Sequence, residues 1–260
     1  MVSSENVVAG KVQLFQPLNG NRDAHRPTQD PRPHLADHYL TIAVPVKWGD
    51  CKADRTHHNC CQIWARILRW SMGITVTIEG LEKLDLSRNY IFAGNHLSYT
   101  DTPVMLGSLP VNFRFLAKSG LFQIPLMGTH LKTAGHIPVV LENPWQAVRT
   151  LSKAGRTVRE KGLSLLIFPE GGRTAGIFEP FKGGAAYLAI KSGVPVVPFA
   201  LIGTREVLAM DSAIFRPGHV RVRIGEPMMA EGLTRKDRKP FTAELERRVK
   251  QMLEGRYGTA

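Results

Sequence analysis

Apolar residues follow two different patterns along this chain. Between Cys60 and Met72 they recur three or four positions apart, which places them on one face of a helix. The residues on this face are Cys60, Ile63, Trp64, Ile67, Leu68 and Met72. Two interpretations stay open at this stage. The helix packs against the core of the domain, or, because Arg66, Arg69 and Trp70 lie on its flanks, it lies on a membrane surface.

Beyond this helix, short continuous apolar runs alternate with helical patterns. The runs predict buried strands at 90–93, 111–117, 137–140, 163–168, 194–202 and 220–224. Helical periodicity begins at Pro144 and at Gly184, and a last helix places Phe241, Leu245, Val249 and Met252 on one stripe. Strands that alternate with helices predict an α/β domain with a largely parallel central sheet flanked by helices on both faces.

The first 58 residues show neither pattern. Prolines punctuate them at positions 17, 27, 31, 33 and 45 among polar residues. We expect residues 1–58 to be a loosely ordered polar leader and residues 59–260 to form the folded domain. No apolar run approaches the roughly 18 residues of a membrane-spanning helix, and the start lacks a signal-peptide pattern. Three cysteines are too few for a disulfide framework, which favours a reducing compartment.

Positive charge is in excess, with 34 Lys and Arg against 22 Asp and Glu and a net charge of +12. Residues 1–50 are neutral, so the excess lies in the remainder of the chain. Such a charge attracts a phosphorylated substrate, an anionic membrane or a nucleic acid. It is dispersed apart from one dense cluster at 235–239, so we do not expect a nucleic-acid partner.

The first candidate site is the segment 94–101, which follows the strand 90–93. His96 stands in the turn, and Asp101 comes five positions later where the next helix starts. A carboxylate that reaches the ring fixes its tautomer, so the other nitrogen can remove a proton from a hydroxyl group. The alternative is a turn histidine beside an ordinary N-terminal helix charge.

The second candidate is the segment 168–174, which also follows a buried strand. Gly171 and Gly172 let the backbone approach a ligand, and Arg173 offers a planar donor for a phosphate. Glu170 can accept from a glycerol-like hydroxyl group or hold Arg173. Lys118, at another strand end, and Lys182, beside two glycines, add positive charge. The alternative for this segment is a glycine-rich turn with a surface ion pair.

A metal site is not expected from the cysteines and histidines. The candidates are Cys51, His57, His58, Cys60 and Cys61. Their spacing matches no paired zinc motif, and adjacent residues chelate one ion poorly. The sequence also contains no G-x-S-x-G elbow, Walker loop or dinucleotide fingerprint.

Taken in order, four blocks resemble the glycerolipid acyltransferase family of the 1-acylglycerol-3-phosphate O-acyltransferase (PlsC) type. The blocks are Asn95-His96-x4-Asp101, then Lys118 with Pro125 and Gly128, then Phe168-Pro169-Glu170-Gly171-x-Arg173, and finally residues 194–198. The resemblance implies that residues 59–260 are an acyltransferase domain. It implies transfer of a fatty acyl group from acyl-CoA or acyl carrier protein to the free hydroxyl of 1-acylglycerol-3-phosphate, giving phosphatidic acid.

The resemblance also assigns roles to residues. His96 becomes the general base and Asp101 the group that orients it, and no metal or redox cofactor is needed. Substrate binding falls on Asn95, Lys118, Glu170, Gly171, Gly172 and Arg173. We expect a lysophospholipid acceptor, and peripheral attachment to the cytoplasmic face of a membrane through the 60–72 helix.

Two positions depart from the family pattern. Leu141 follows Ile137-Pro138-Val139-Val140 where members commonly carry an arginine that holds the acceptor phosphate. Gly172 stands where threonine is usual. Two alternatives therefore remain: acylation of another lysolipid, such as a lyso-ornithine lipid, and a non-catalytic binder of anionic lipid or nucleic acid.

Overall fold

The structure, a computed structural model, describes residues 55–253 except 126, 174–177, 210–211 and 213. Most of the predicted leader, up to position 54, lies outside the described residues. Its last positions, 55–58, already belong to the first helix, so the folded part begins earlier than the predicted residue 59.

Seven strands and seven α-helices make up the described part of the chain. The strands are β1 Ile74–Glu79, β2 Ile91–Gly94, β3 Phe113–Lys118, β4 Ile137–Val139, β5 Ser164–Ile167, β6 Val196–Ile202 and β7 Gly218–Ile224. The helices are α1 Arg55–Ser71, α2 Asp101–Ser108, α3 Met127–Thr133, α4 Pro144–Lys161, α5 Gly184–Ser192, α6 Thr204–Val207 and α7 Arg238–Leu253.

The strands form one sheet in the order β1-β7-β6-β2-β5-β3-β4. Every neighbouring pair is parallel except β6 and β7. The prediction of an α/β fold with a largely parallel sheet is confirmed. Strands β2, β5 and β3 are neighbours that run in the same direction, so their carboxyl ends meet at one edge of the sheet. In open α/β sheets this edge is where ligands bind.

Both faces of the sheet are covered, which explains why the strands read as continuous apolar runs. Phe92 of β2 points into one core, which includes Val104 and Met105 of α2. Ile91 and Ala93 point into the other core, together with side chains of α4, α5 and α7. Successive residues of a strand alternate between faces, so the four buried residues of β2 serve both cores.

Helix α1 packs on the domain with a face that only partly coincides with the predicted one, since Trp64 and Met72 do pack against the core. Cys61 and Ala65 are buried, whereas Ile63 and Ile67 are more than half exposed. The reason lies in size and hydrogen bonding. Small Ala65 permits close approach to α2, and Arg66 Nε donates to the carbonyl of Gly107 at 3.2 Å.

The structure contains one strand that the sequence patterns do not predict. Strand β1 has no predicted counterpart, because this edge strand alternates Ile and Val with Thr and Glu instead of forming an apolar run. Within the residues that the structure describes, no helix is both long enough and apolar enough to cross a bilayer.

Candidate active site

His96 and Asp101 form a direct hydrogen-bonded pair at the carboxyl end of β2. His96 Nδ1 lies 2.8 Å from Asp101 Oδ2, and the aspartate is the first residue of α2. The same oxygen also accepts from the backbone N–H groups of Leu97 at 2.7 Å and Ser98 at 2.9 Å. Because Asp101 accepts, Nδ1 carries the proton and Nε2 is left with a free lone pair. The pair predicted from spacing is thus in contact.

The surroundings of His96 favour the neutral imidazole. Its side chain is 14% exposed, and its ring stacks on Phe168 with centroids 3.9 Å apart. Burial lowers the pKa of His96 below its usual 6.5, and Arg173 adds to this, while the hydrogen bond and the charge of Asp101 oppose it. Burial therefore favours the unprotonated ring, the form that a general base requires.

Asn95 holds the turn that carries His96. Its side-chain Nδ2 donates to the carbonyl of Leu201 at 2.9 Å, and its Oδ1 accepts from the Leu201 N–H at 2.8 Å. The residue is fully buried, so its amide group joins β2 to β6. The predicted substrate-binding role for Asn95 does not fit this position, because both ends of the amide are occupied by backbone groups. Asn95 positions His96 instead.

Glu170 connects the two candidate segments. Its Oε1 accepts from the backbone N–H of His96 at 2.8 Å, and its Oε2 accepts from the N–H of Glu179 at 3.2 Å. The side chain is 4% exposed, and this burial raises its pKa to about 7. The predicted contact of Glu170 with an acceptor hydroxyl is therefore not favoured. Its carboxyl group fixes the distance between the histidine turn and the glycine loop.

The two glycines of the loop are in different environments. Gly171 has a φ of 79°, and a Cβ atom there would collide with the side chain of Lys182. Only glycine adopts this backbone conformation without strain. At Gly172 an added Cβ would meet nothing within 4 Å. The threonine that is usual in the resembling family would fit at 172.

Arg173 reaches back over the histidine segment. Its guanidinium carbon lies 3.6 Å from the centroid of the Tyr99 ring, a cation–π contact. Tyr99 stands inside the predicted histidine segment, but nothing in the spacing indicated its role. The contact holds a cation within reach of the cavity that His96 lines.

A cavity of about 920 Å³ opens beside these residues. His96, Lys118, Gly171, Gly172 and Arg173 all line it, whereas Asn95, Asp101 and Glu170 do not. Much of the remaining wall is apolar, including Leu106, Phe115, Leu131 and Leu151. Its size and apolar lining are typical of a site for a largely hydrophobic ligand.

The positively charged side chains that line the cavity differ in their contacts. Lys118 forms an ion pair with Glu142 at 2.8 Å, next to Leu141, which also lines the cavity. Lys182 and Arg238 are further cations in the lining. Arg149, a sequence candidate to replace the missing arginine, is exposed and is not among the lining residues.

The structure also brings together a group of possible metal ligands. His57 and Cys61 of α1 meet His130 of α3, with one ligand atom from each within 4.8 Å of the others. His58 and Cys60 do not belong to this group, and Cys51 lies outside the described residues. Spacing within residues 51–61 could not show it, because His130 is distant in the sequence.

Comparison with known proteins places this geometry in a family. Residues 75–202 match the family model described as Acyltransferase. A chloroplastic 1-acyl-sn-glycerol-3-phosphate acyltransferase of Brassica napus is 37% identical over 66% of this chain and 50% of its own length. The enzyme of that name from Cocos nucifera is 32% identical over 65% of this chain and 54% of its own. This chain thus spans about half the length of these curated relatives.

A solved structure agrees with the sequence matches. The crystal structure of the 1-acyl-sn-glycerophosphate (LPA) acyltransferase PlsC from Thermotoga maritima superposes with a TM-score of 0.65. It is 27% identical and covers 78% of this chain and 81% of its own. The matched residues contain the His96 and Asp101 pair and the glycine loop. Residues 75–202 therefore form a domain of the Acyltransferase family, and the chain is similar to 1-acyl-sn-glycerol-3-phosphate acyltransferases and to PlsC.

Proposed function

We propose that this protein transfers a fatty acyl group from a thioester donor to the free hydroxyl of 1-acylglycerol-3-phosphate, giving phosphatidic acid. The observation that carries the proposal is the His96–Asp101 pair at 2.8 Å, whose histidine lines a large apolar cavity with cations in its wall. The apolar wall suits the acyl chains, and the cations suit the phosphate of the acceptor.

The reaction proceeds by direct attack. Nε2 of His96 removes the proton from the acceptor hydroxyl as its oxygen bonds to the thioester carbonyl carbon. The resulting imidazolium is stabilised by Asp101. The tetrahedral intermediate collapses with cleavage of the carbon–sulfur bond, and the leaving thiolate takes the proton from His96. Acyl-CoA and acyl carrier protein thioesters both meet this requirement. The thioester is already activated, so the step needs no covalent serine, metal or redox cofactor.

Negative charge develops on the carbonyl oxygen and must be stabilised. Arg173 is the best placed charged group, because it lies over Tyr99 beside the histidine segment and lines the cavity. We assign it to the acceptor phosphate and to the electrostatics of this step. Lys182 and Arg238 take the place of the arginine that is absent at Leu141.

A second acceptor is favoured by one specific observation. Leu141 is apolar, and the adjacent Glu142 engages Lys118 in an ion pair, which reduces the positive charge on this side of the cavity. A lysolipid without a phosphate, such as a lyso-ornithine lipid, would suit that wall better. Its acylation uses the same base and the same cavity.

We place the protein at the cytoplasmic face of a membrane, attached peripherally. Ile63, Ile67 and Trp70 of α1 are 56%, 59% and 82% exposed, and Trp145 at the start of α4 is 87% exposed. Exposed aliphatic and tryptophan side chains on a basic domain are typical of binding to an anionic interface. The donors, acyl-CoA and acyl carrier protein, are cytoplasmic molecules.

The proposal is tested by thiol release from acyl-CoA and from acyl carrier protein thioester, with a panel of lysolipid acceptors. The variant is His96→Ala, and the matched control is His219→Ala, an exposed histidine on β7. We expect release that depends on lysophosphatidate, is abolished by His96→Ala and is retained by His219→Ala. Equal rates for His96→Ala and wild type would remove His96 from the mechanism. Absence of release with every acceptor would favour a non-catalytic lipid or nucleic-acid binder.

The acceptor is tested by Leu141→Arg, which restores the missing guanidinium. If lysophosphatidate is the acceptor, its KM should fall, because the new charge contacts the phosphate in the ground state and transition state alike. Turnover with a phosphate-free lysolipid, and none with lysophosphatidate in either protein, would move the assignment to the second acceptor.

A further inference from the structure

A second chemically distinctive cluster lies beside the cavity, which one of its members, His130, lines, and the proposed acyl transfer does not use it. His57 and Cys61 are four residues apart on α1, a spacing that places both side chains on one helix face. His130 of α3 faces them, and one ligand atom from each residue lies within 4.8 Å of the other two. His57 and Cys61 are buried, and His130 is half-buried.

The nitrogen and sulfur ligand atoms of this cluster favour zinc. Two imidazoles and one thiolate are ligands of Zn²⁺, which binds nitrogen at about 2.0–2.1 Å and thiolate sulfur at about 2.3 Å. In a tetrahedron with these bond lengths, neighbouring ligand atoms are roughly 3.3–3.6 Å apart. The observed separation of at most 4.8 Å needs a contraction of at most about 1.5 Å, which side-chain rotation supplies. No carboxylate belongs to this described group, so calcium and magnesium are disfavoured.

The imidazole rings of the cluster lie next to each other. The rings of His57 and His130 are stacked with centroids 5.6 Å apart and planes 22° from parallel. His136 lies beside His130, but its Nδ1 accepts from the N–H of Phe115 at 3.0 Å. We therefore do not include His136 among the metal ligands.

We propose that His57, Cys61 and His130 bind one zinc ion, with water in the fourth position. The ion joins α1 to α3, two helices that are far apart in the sequence. His130 and Trp64 line the cavity, so the zinc holds part of the cavity wall in place. Its role is structural, and the site is independent of the His96 chemistry.

The probe is Zn²⁺ or Co²⁺ added to the full chain after treatment with a chelator. We expect one metal ion per chain by elemental analysis. The cobalt form should show the visible bands of a tetrahedral site and a near-ultraviolet band from the thiolate. Cys61→Ser should remove the thiolate band and weaken Zn²⁺ binding at least tenfold, and His130→Gln should weaken binding similarly. Cys60→Ser, a change at the adjacent half-buried cysteine, should leave both properties intact.

Several results would overturn the proposal. One is a wild-type chain that binds neither ion. Another is Zn²⁺ affinity that is equal in wild type, Cys61→Ser and His130→Gln. A third is a thiolate band that survives Cys61→Ser and disappears in Cys60→Ser. Circular dichroism checks the fold of each variant. If Cys61→Ser does not fold, the cobalt spectrum of wild type and the affinity of His130→Gln decide the question.

The proposed link between α1 and α3 is tested by hydrogen exchange. Hydrogen exchange of the α3 amides should accelerate when zinc is removed from the wild-type chain, and it should not respond to chelator in His130→Gln. Unchanged exchange on zinc removal would contradict the proposed link between α1 and α3. None of these readouts requires turnover, so zinc binding without acyl transfer would refute the proposed function and leave the metal site standing.

Discussion

Replacement of Asp101 by asparagine separates the charge of this residue from its geometry. Asp101 Oδ2 accepts all three hydrogen bonds of the site, from His96 Nδ1 and from the N–H groups of Leu97 and Ser98. The side-chain oxygen of asparagine can take the place of Oδ2 and keep all three. The new NH₂ group then occupies the place of Oδ1, which is buried with no hydrogen-bond partner among the described residues. We expect Asp101→Asn to fold and to lose about 1–3 kcal/mol of stability, the cost of a buried unsatisfied donor.

The effect on catalysis follows from the lost charge. Proton transfer makes His96 an imidazolium, whose ring contacts the Asp101 carboxylate at 2.8 Å. Two unit charges about 4 Å apart, centre to centre, attract by about 4 kcal/mol at an effective dielectric constant of about 20. At 1.36 kcal/mol per factor of ten, kcat should fall by about 10³. The donor KM should change little, because Asp101 is fully buried and does not line the cavity.

The pH profile provides an independent readout of the same substitution. In the wild type, activity should fall as the pH drops below 6.5, because His96 becomes protonated only below its lowered pKa. Asp101 raises that pKa against the effect of burial. Without the carboxylate the pKa falls further, so the acidic limb of the profile should move to lower pH while the plateau falls.

The assay is steady-state thiol release across pH 5–8, roughly the range in which histidine titrates. Asp85→Asn is the control, since Asp85 lies in the loop before β2, at the amino end of the strand and away from the His96 turn at its carboxyl end. It should retain the wild-type rate and profile. The double variant His96→Ala/Asp101→Asn should be no slower than His96→Ala, because the two residues act as a unit. A folded Asp101→Asn with kcat within threefold of wild type would refute the reasoning.

Three further substitutions are informative. Gly171→Ala should lose about 1–2 kcal/mol in urea unfolding, because φ is 79°, whereas Gly172→Ala should stay within about 0.5 kcal/mol; equal values would contradict the backbone argument. Glu170 has a folded pKa of about 7 against an ordinary 4.5, so the stability of its neutral form is full below 4.5 and lost as the pH rises through 7. At 1.36 kcal/mol per pH unit this is about 3 kcal/mol, and Glu170→Gln should flatten the stability profile between pH 4.5 and 7; a wild-type slope in the variant would be inconsistent with it. Lys182→Met should raise the KM for a phosphorylated acceptor and weaken its dependence on salt, while Lys191→Met, a change at an exposed residue in the last turn of α5, should not; identical kinetics would exclude Lys182 from acceptor binding.

Local sequence spacing predicted the His96 and Asp101 contact because the two residues are only five positions apart. The α/β class was likewise accessible, since each buried strand is a continuous apolar run. The contact between Glu170 and His96 spans 74 positions, and the contact between Asn95 and Leu201 spans 106. Both depend on the order of β2, β5 and β6 in the sheet, which periodicity does not encode.

Helix α1 shows another limit of prediction from the sequence, which concerns the buried face of a helix. Hydrophobic periodicity assumes that the most apolar face is the buried one. Here Trp64 and Met72 of the predicted face pack against the core, but the fully buried apolar positions are the small residues Cys61 and Ala65, and Ile63, Ile67 and Trp70 face outward. The same helix contributes two of the three residues in the proposed zinc site, whose third member, His130, no local motif could have indicated.

The residues of the active site form two layers with different expected effects on substitution. His96, Gly171 and Arg173 line the cavity in which the proposed substrates bind. Behind them, Asp101 and Glu170 are buried and bonded to the turn that carries the base. His96 aside, whose loss should abolish turnover, changes in the cavity layer should alter KM and the choice of acceptor, because these side chains face the proposed ligand. Changes in the buried layer should alter kcat, the pH profile and stability while leaving the acceptor preference unchanged, because the substrate does not reach those side chains. The identity of the acceptor should therefore be tested by changes in the cavity wall around Leu141 and Lys182, where charge differs from the family pattern, and not by changes in the His96–Asp101 pair.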